Sequence, residues 1–456
     1  MPSTDLQVLQ TLYDNLYGAI TYAPSTTQPP PFNQNSTMIQ FASMQALNDA
    51  DFAGAQSPIN PGGSLSTAEL FSRMVDVVPA SSVLWSDSGK RVSQVYNTIV
   101  NGANTTTTPN PQQVQLWNQA YNYLNQTTSI QSFTGATVTQ VGPTPIYSIY
   151  QTNTQSYVAA LSSYRLTYNN YDLTDPKAQR AWQAQAPVLQ AAINAAWNNL
   201  QQSGAAMVEE ALNALSSSIN NAISNAIAQA QQTMKTSALV SSTGTGSWYL
   251  AYATPTNWAD KDTALANMTQ LSISTSNLSQ SASSSFSQWG GGLSAGWGLW
   301  TIGANAGGSS SSQTEQTTST DFTMTANIEV VRIYRPWYDP TLFQMQDWFV
   351  NGFQAGGISD GKGNGVLPLV PTALIVARNF QLTGSFSEKD KSIIQSAVNG
   401  GASVGWGPFQ IGGSYSNSSS QEKVNATFDG TTLTVPGMQV IGYVNAITPA
   451  CPPTVG

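Results

Sequence analysis

The sequence contains no histidine and a single cysteine, Cys451, and only 8% of its 456 residues are charged. Without imidazole there is no Ser-His-Asp or Cys-His catalysis, no His-ligated zinc and no ordinary general base near neutral pH. A lone cysteine excludes an intramolecular disulfide and a thiolate cluster, so neither a structural metal nor a cofactor is expected. Fifteen basic residues stand against 23 acidic ones, a net charge of −8. No Lys/Arg run is present to follow a phosphate backbone, and nucleic acid is not expected as a partner. There is no apolar run of the roughly 18 residues that a spanning helix needs. The opening residues, MPSTDLQVLQTLYDNLYGAI, have no basic segment followed by a continuous apolar one, and do not read as a Sec signal peptide.

What is present is enough to build a large core: 40% apolar residues, with 14 Phe, 12 Trp and 18 Tyr. The missing charge, against about 25% in an ordinary soluble domain, has gone to Ser, Thr, Asn, Gln and Gly. Surfaces of this kind suit contact with other proteins, sugars or a harsh exterior, because charge is what normally keeps monomers apart. The expectation is an extracellular or particle-associated homo-oligomer.

The first half reads as helical. Patterns appear around 38–47, at 67–78 and after Lys90. Asn110 and Pro111 cap and start a helix along which Val114, Trp117, Tyr121 and Leu124 recur at spacings of three and four. Another follows at 156–168. Asp175 and Pro176 start a helix over about 175–202, with Trp182, Leu189, Ile193, Trp197 and Leu200 on one face, which Pro187 is expected to kink or restart. A single long helix is expected over about 205–233, from the stripe Val208, Leu212, Leu215, Ile219, Ile223, Ile227 and Ala230. Near 237–247 the composition shifts to Gly and Ser, helical periodicity stops, and strand-like segments follow at 248–253, 271–274, 322–334, 372–377 and 438–444. The expected fold class is α+β, with a helical bundle over 1–236 and a β-sandwich-like domain over 237–456.

That second half repeats itself. GWGLWTIG at 296–303 matches GWGPFQIG at 405–412, an offset of 109, and each is followed by a Ser-rich tail ending in Gln. QLSIST at 270–275 aligns with NFQLTG at 379–384, and IEVVRIY at 328–334 with MQVIGYV at 438–444. Four segments in one order imply a duplicated strand-hairpin-strand unit, about 268–337 and 377–446. In each copy the apolar alternation slips by one residue at Gly298-Leu299 or Gly407-Pro408, which calls for a hairpin tip or a bulge. Two such copies are expected side by side about a pseudo-twofold axis. The pattern GWGPFQIGGSYSNSSSQ followed by VPGMQVIGYVNAITP is similar to a tail of uncharacterised microbial proteins, over about a tenth of the chain, a resemblance that implies no activity.

Hydrolysis by a carboxylate pair is the remaining hydrolytic chemistry. Asp339, Asp347, Glu329 and Asp360 lie near Arg332 and Arg335, but no motif orders them, and an ion-pair patch at a strand end is the plainer reading. The loop GGISDGKGNG at 356–365 lacks phosphate-loop spacing, and its Asp360, Lys362 and Asn364 read as solvated. The function expected is therefore a non-enzymatic, self-assembling structural protein with Trp297, Trp300, Trp406, Phe409 and Tyr415 as contact residues. The alternatives are a membrane-active, pore-forming protein that inserts the hairpins or small-residue helices, and a glycan-binding module.

Overall fold

The computed structural model describes residues 4–453 except 23–31, 59, 106–110, 132–136, 172–174, 218–222, 242–245, 262–263, 265–267, 279–282, 291–292, 294–296, 304–312 and 417–421. The fold is α+β, 43% helix and 26% strand, with most of the helix before residue 237. Helices Leu65–Val75, Val92–Gly102, Pro111–Leu124 and Pro176–Gln202 form close to where the spacing places them, whereas the helix expected over 156–168 is longer, Pro145–Asn169, and begins at the Thr144 cap. Asp175 caps Pro176–Gln202 by accepting from the Lys177 amide at 3.0 Å. Asn110, the expected cap of Pro111–Leu124, lies outside the described residues.

Two expectations are corrected and one, a kink or a restart at Pro187, is narrowed. Pro187 does not restart its helix, which is continuous from Pro176 to Gln202. Gln183, whose carbonyl loses the Pro187 amide as partner, is exposed to water with it, so the break in the ladder falls on the solvent side. The segment expected as helix at 38–47 contains instead the strand Thr37–Phe41. All five of its residues are buried, so it lacks the alternation that marks a half-buried strand. The β-rich half also holds helices, Ser284–Trp289 and Glu388–Gly400. The stripe over 205–233 is carried by Ala205–Ser217 and Ile223–Thr236, and Ile219 lies outside the described residues.

The main sheet is antiparallel and eight-stranded among the described residues. Its order runs Thr37–Phe41, Gln439–Ile447, Leu369–Gly384, Phe322–Tyr334, with Tyr252–Thr254 and Thr269–Ser274 both paired to the outer side of Phe322–Tyr334. Helix Thr4–Thr21 buries Val8, Leu9, Leu12, Tyr13 and Leu16 in the same core as this sheet. The sheet and its core therefore draw on residues from both sides of position 236.

The duplication is physical. Ile273 pairs with Met324 in the first copy and Leu382 with Leu433 in the second, each partner moved by 109 residues. The same shift carries Leu271 and Ala326 onto Phe380 and Val435. The copies are not related by the expected twofold. The first strand of the second copy, Leu369–Gly384, pairs with the return strand of the first, Phe322–Tyr334, so the units follow one another head to tail across one sheet.

Between strand and return strand, each copy sends its GWG segment into a second layer, ordered Gln313–Glu315, Trp300–Ile302, Val404–Trp406, Phe409–Gln410. In the second copy Gly407-Pro408 is a hairpin tip, with Trp406 opposite Phe409 and Gly407 at φ +55°. In the first copy no such hairpin is present among the described residues, since Trp300–Ile302 has Gln313–Glu315 on one edge and Val404–Trp406 on the other. Gly298 is needed there for another reason: a Cβ would stand 2.1 Å from the Glu315 carbonyl.

Candidate functional site

Three of the five expected contact residues are core. Trp300 and Trp406 face each other across adjacent strands, and with Phe409 they are at most 1% exposed. Phe409 stacks on Phe380 of the main sheet at 4.2 Å between ring centroids, and Trp406 meets Phe322 edge-on at 5.5 Å. These rings join the two layers and present nothing outward. Trp297 is half-buried against the same core, and Tyr415 is half-buried.

The four candidate carboxylates occupy four different surroundings. The Asp347 carbonyl accepts from the Thr105 hydroxyl at 3.2 Å. Asp360 accepts from the Lys362 and Asn364 amides at 2.7 and 3.0 Å and from the Asn364 side chain, bonds that hold its loop and lower its carboxyl below the usual range. Glu329 is buried in the main sheet, and burial, opposed by the charge of Arg378, pushes its carboxyl up to about 7. Its Oε2 has no hydrogen-bond partner among the described residues. A folded value above the unfolded one means that stability is fully present below the unfolded value and is lost as pH rises through about 7. Glu329→Gln is therefore expected to be more resistant to urea than the parent above about pH 8, by on the order of 2–3 kcal/mol, and equal to it near pH 4. Parallel urea curves at both pH values would refute this.

Asp339 lies elsewhere, at a cavity of about 300 Å³ where the helices meet the end of strand Phe322–Tyr334. The chain leaves that strand as RPWYDPT, and this turn forms one wall. Tyr96 comes from Val92–Gly102, Tyr121 from Pro111–Leu124 and Tyr147 from Pro145–Asn169. Tyr334, Trp337 and Tyr338 come from the strand end and the turn. The Asp339 amide donates to the Tyr96 hydroxyl at 3.2 Å, and its Oδ1 accepts from the Thr341 amide at 2.9 Å, capping the short helix Pro340–Gln344. Burial raises the Asp339 carboxyl above its usual range. Burial also raises the phenols of Tyr96, Tyr121, Tyr147 and Tyr338, and the charge of Asp339 adds to each.

No family model, curated protein or solved structure matches this chain. The functional reading rests on the geometry alone. Among the described residues no three His, Cys, Asp or Glu side chains cluster as metal ligands would, and no helix is long and apolar enough to cross a membrane. Among the described residues that line it, the cavity has aromatic walls and one carboxylate, the kind of concave site in which small ligands are held.

The other prominent surface is helix Pro176–Gln202. It packs on Pro145–Asn169 through Trp182, Ile193, Trp197 and Leu200, and buries only Ile193 and Leu200 fully. On nearly the opposite face, Ala181, Ala184, Val188, Ala191 and Ala195 recur at spacings of three and four, all exposed, Val188 at 69%. The helix carries Lys177 and Arg180 at its start and no acidic residue. Neither surface stood out in the sequence. The cavity residues are scattered from Tyr96 to Thr372, whereas the small-residue heptad was present and was read only for its bulky face.

Proposed function

We propose that the protein is a non-enzymatic, self-assembling subunit of an extracellular or particle-borne assembly, and that copies meet through helix Pro176–Gln202. The observation that carries this reading is the exposed stripe Ala181, Ala184, Val188, Ala191 and Ala195. Small residues at heptad spacing let a second helix approach closely, and the absence of acidic residues removes the repulsion that a chain of net charge −8 has elsewhere. The expected hairpin contacts are replaced in this reading, since Trp300, Trp406 and Phe409 would have to leave the core to meet a partner or a bilayer.

Sedimentation of the purified protein should give regular species above 48.4 kDa as concentration rises. Val188→Glu should sediment as the monomer with an unchanged circular dichroism spectrum, because a charge at the centre of the stripe is desolvated in the assembly and hydrated in the monomer. A parent that stays monomeric at every concentration, or a Val188→Glu that still assembles, would overturn the proposal.

A further inference from the structure

We propose that the cavity beneath the 335–341 turn binds a small organic cation, a quaternary ammonium or protonated amine group. This reading does not depend on assembly. The volume of about 300 Å³ suits a small headgroup, and the walls present the rings of Tyr96, Tyr121, Tyr147, Tyr334, Trp337 and Tyr338. Aromatic faces carry the negative end of a quadrupole and attract a cation held over them, most strongly out of water.

Charge accounting in the cavity points the same way. Asp339 is the only carboxylate among its described lining residues, and no Lys or Arg among the described residues stands within ion-pair distance of it. One of its oxygens is committed to the Thr341 amide, and nothing cationic offsets the rest of its charge. The one cation in the lining, Arg335, is engaged through its two terminal nitrogens, while its Nε has no hydrogen-bond partner among the described residues. Its terminal nitrogens donate to the carbonyls of Pro371 at 2.5 Å and Val75 at 2.8 Å, and Asp76 supplies the opposing charge. The cavity is thus built with one carboxyl group whose ionised form, disfavoured by burial, lacks a cationic counterpart, among its aromatic rings. An anion would meet that charge directly, and a neutral sugar would gain nothing from it.

The test is a titration of the full-length protein with choline, followed by Trp fluorescence and calorimetry. The comparison ligands are 3,3-dimethylbutan-1-ol, which has the same shape without the charge, and methyl glucoside. Choline is expected to saturate, with the neutral isostere at least about tenfold weaker. Asp339→Asn removes the charge and keeps an oxygen for the Thr341 amide, so the short helix stays capped. It should weaken choline at least about tenfold without lowering the unfolding midpoint, because it removes a carboxylate whose charge burial opposes. The comparison of choline with its isostere on the parent protein holds whether or not the variant folds. Equal binding of the two, saturation by methyl glucoside but not by choline, failure of choline to saturate, or a folded Asp339→Asn that binds choline as the parent does would each overturn the proposal.

Discussion

Replacing Asp390 with alanine is expected to destabilise the protein by at least about 3 kcal/mol, read as a fall in the urea midpoint. Asp390 is fully buried at the start of helix Glu388–Gly400, yet it is not an isolated charge. It accepts from the Trp300 indole at 2.9 Å, the Thr318 amide at 3.1 Å, the Ser319 amide at 2.7 Å and the hydroxyls of Thr318, Ser319 and Ser387. Burial works against the charge, and the donors on Ser319, Ser387 and Trp300 outweigh it, so the carboxyl sits below its usual range. Truncation would leave several of these buried donors without an acceptor, which costs more than the bonds themselves contribute. Because the folded value is depressed, this stability is present above the unfolded value and is lost as pH falls through the folded one. The alanine variant should therefore differ most from the parent near neutral pH and converge with it in strong acid. Asp5 behaves in the opposite sense. Buried nearby with the Leu299 and Thr317 amides, it is raised by burial and further by the charge of Asp390. A variant as stable as the parent at pH 7 would mean that the donors around Asp390 do not depend on its carboxylate.

Trp406→Ala should cost about 3–5 kcal/mol, the range for large aromatic truncations in a packed core. The ring lies between Phe322 and Phe380 and opposite Trp300, so the void would open between the two β layers, where both copies of the repeat contribute. Trp297→Ala and Tyr415→Ala, at half-buried positions, are expected to cost clearly less, about 1 kcal/mol each. Chemical denaturation of the three variants decides the matter. Equal and small losses would mean that Trp406 is a surface contact after all, and that the layers separate in solution.

How far the fold could be read from the sequence depended on whether local pattern and tertiary burial agreed. Strand Phe322–Tyr334 shows buried and half-buried residues in alternation over its first six positions, and its limits are those expected from the residues alone. Thr37–Phe41 is covered on both faces, and without alternation its apolar residues matched a helix. Helix Glu388–Gly400 was missed although its signals are present. Ser387 accepts from the Asp390 amide, Asp390 accepts back from Ser387, and Gly401 closes the end at φ +66°. The Gly/Ser-rich surroundings concealed them. Repetition was the most informative signal, because cross-strand register survived the duplication. The relation between the copies was not legible, since twofold and tandem arrangements leave the same trace in a linear chain. The contact residues were misplaced for a related reason. A large ring beside Gly and Ser looks outward-facing, but here the glycines admit backbone, at Gly298 against Glu315, and the rings turn inward.

The tandem arrangement also raises a question of termination. A unit whose first strand accepts the last strand of the unit before it contains no instruction to stop, so a third unit would find the same kind of edge on Gln439–Ile447. Thr37–Phe41 occupies that edge, in register from Thr37 opposite Ala446 to Phe41 opposite Gly442. A segment from the helical half thus acts as an end-stop for growth of the β half. At the far edge the sheet is finished differently, by two short strands, Tyr252–Thr254 and Thr269–Ser274, set one beyond the other along a single partner. Among the described residues neither edge offers a long free strand to another molecule, an arrangement that guards against the indefinite stacking that the repeat would otherwise encourage.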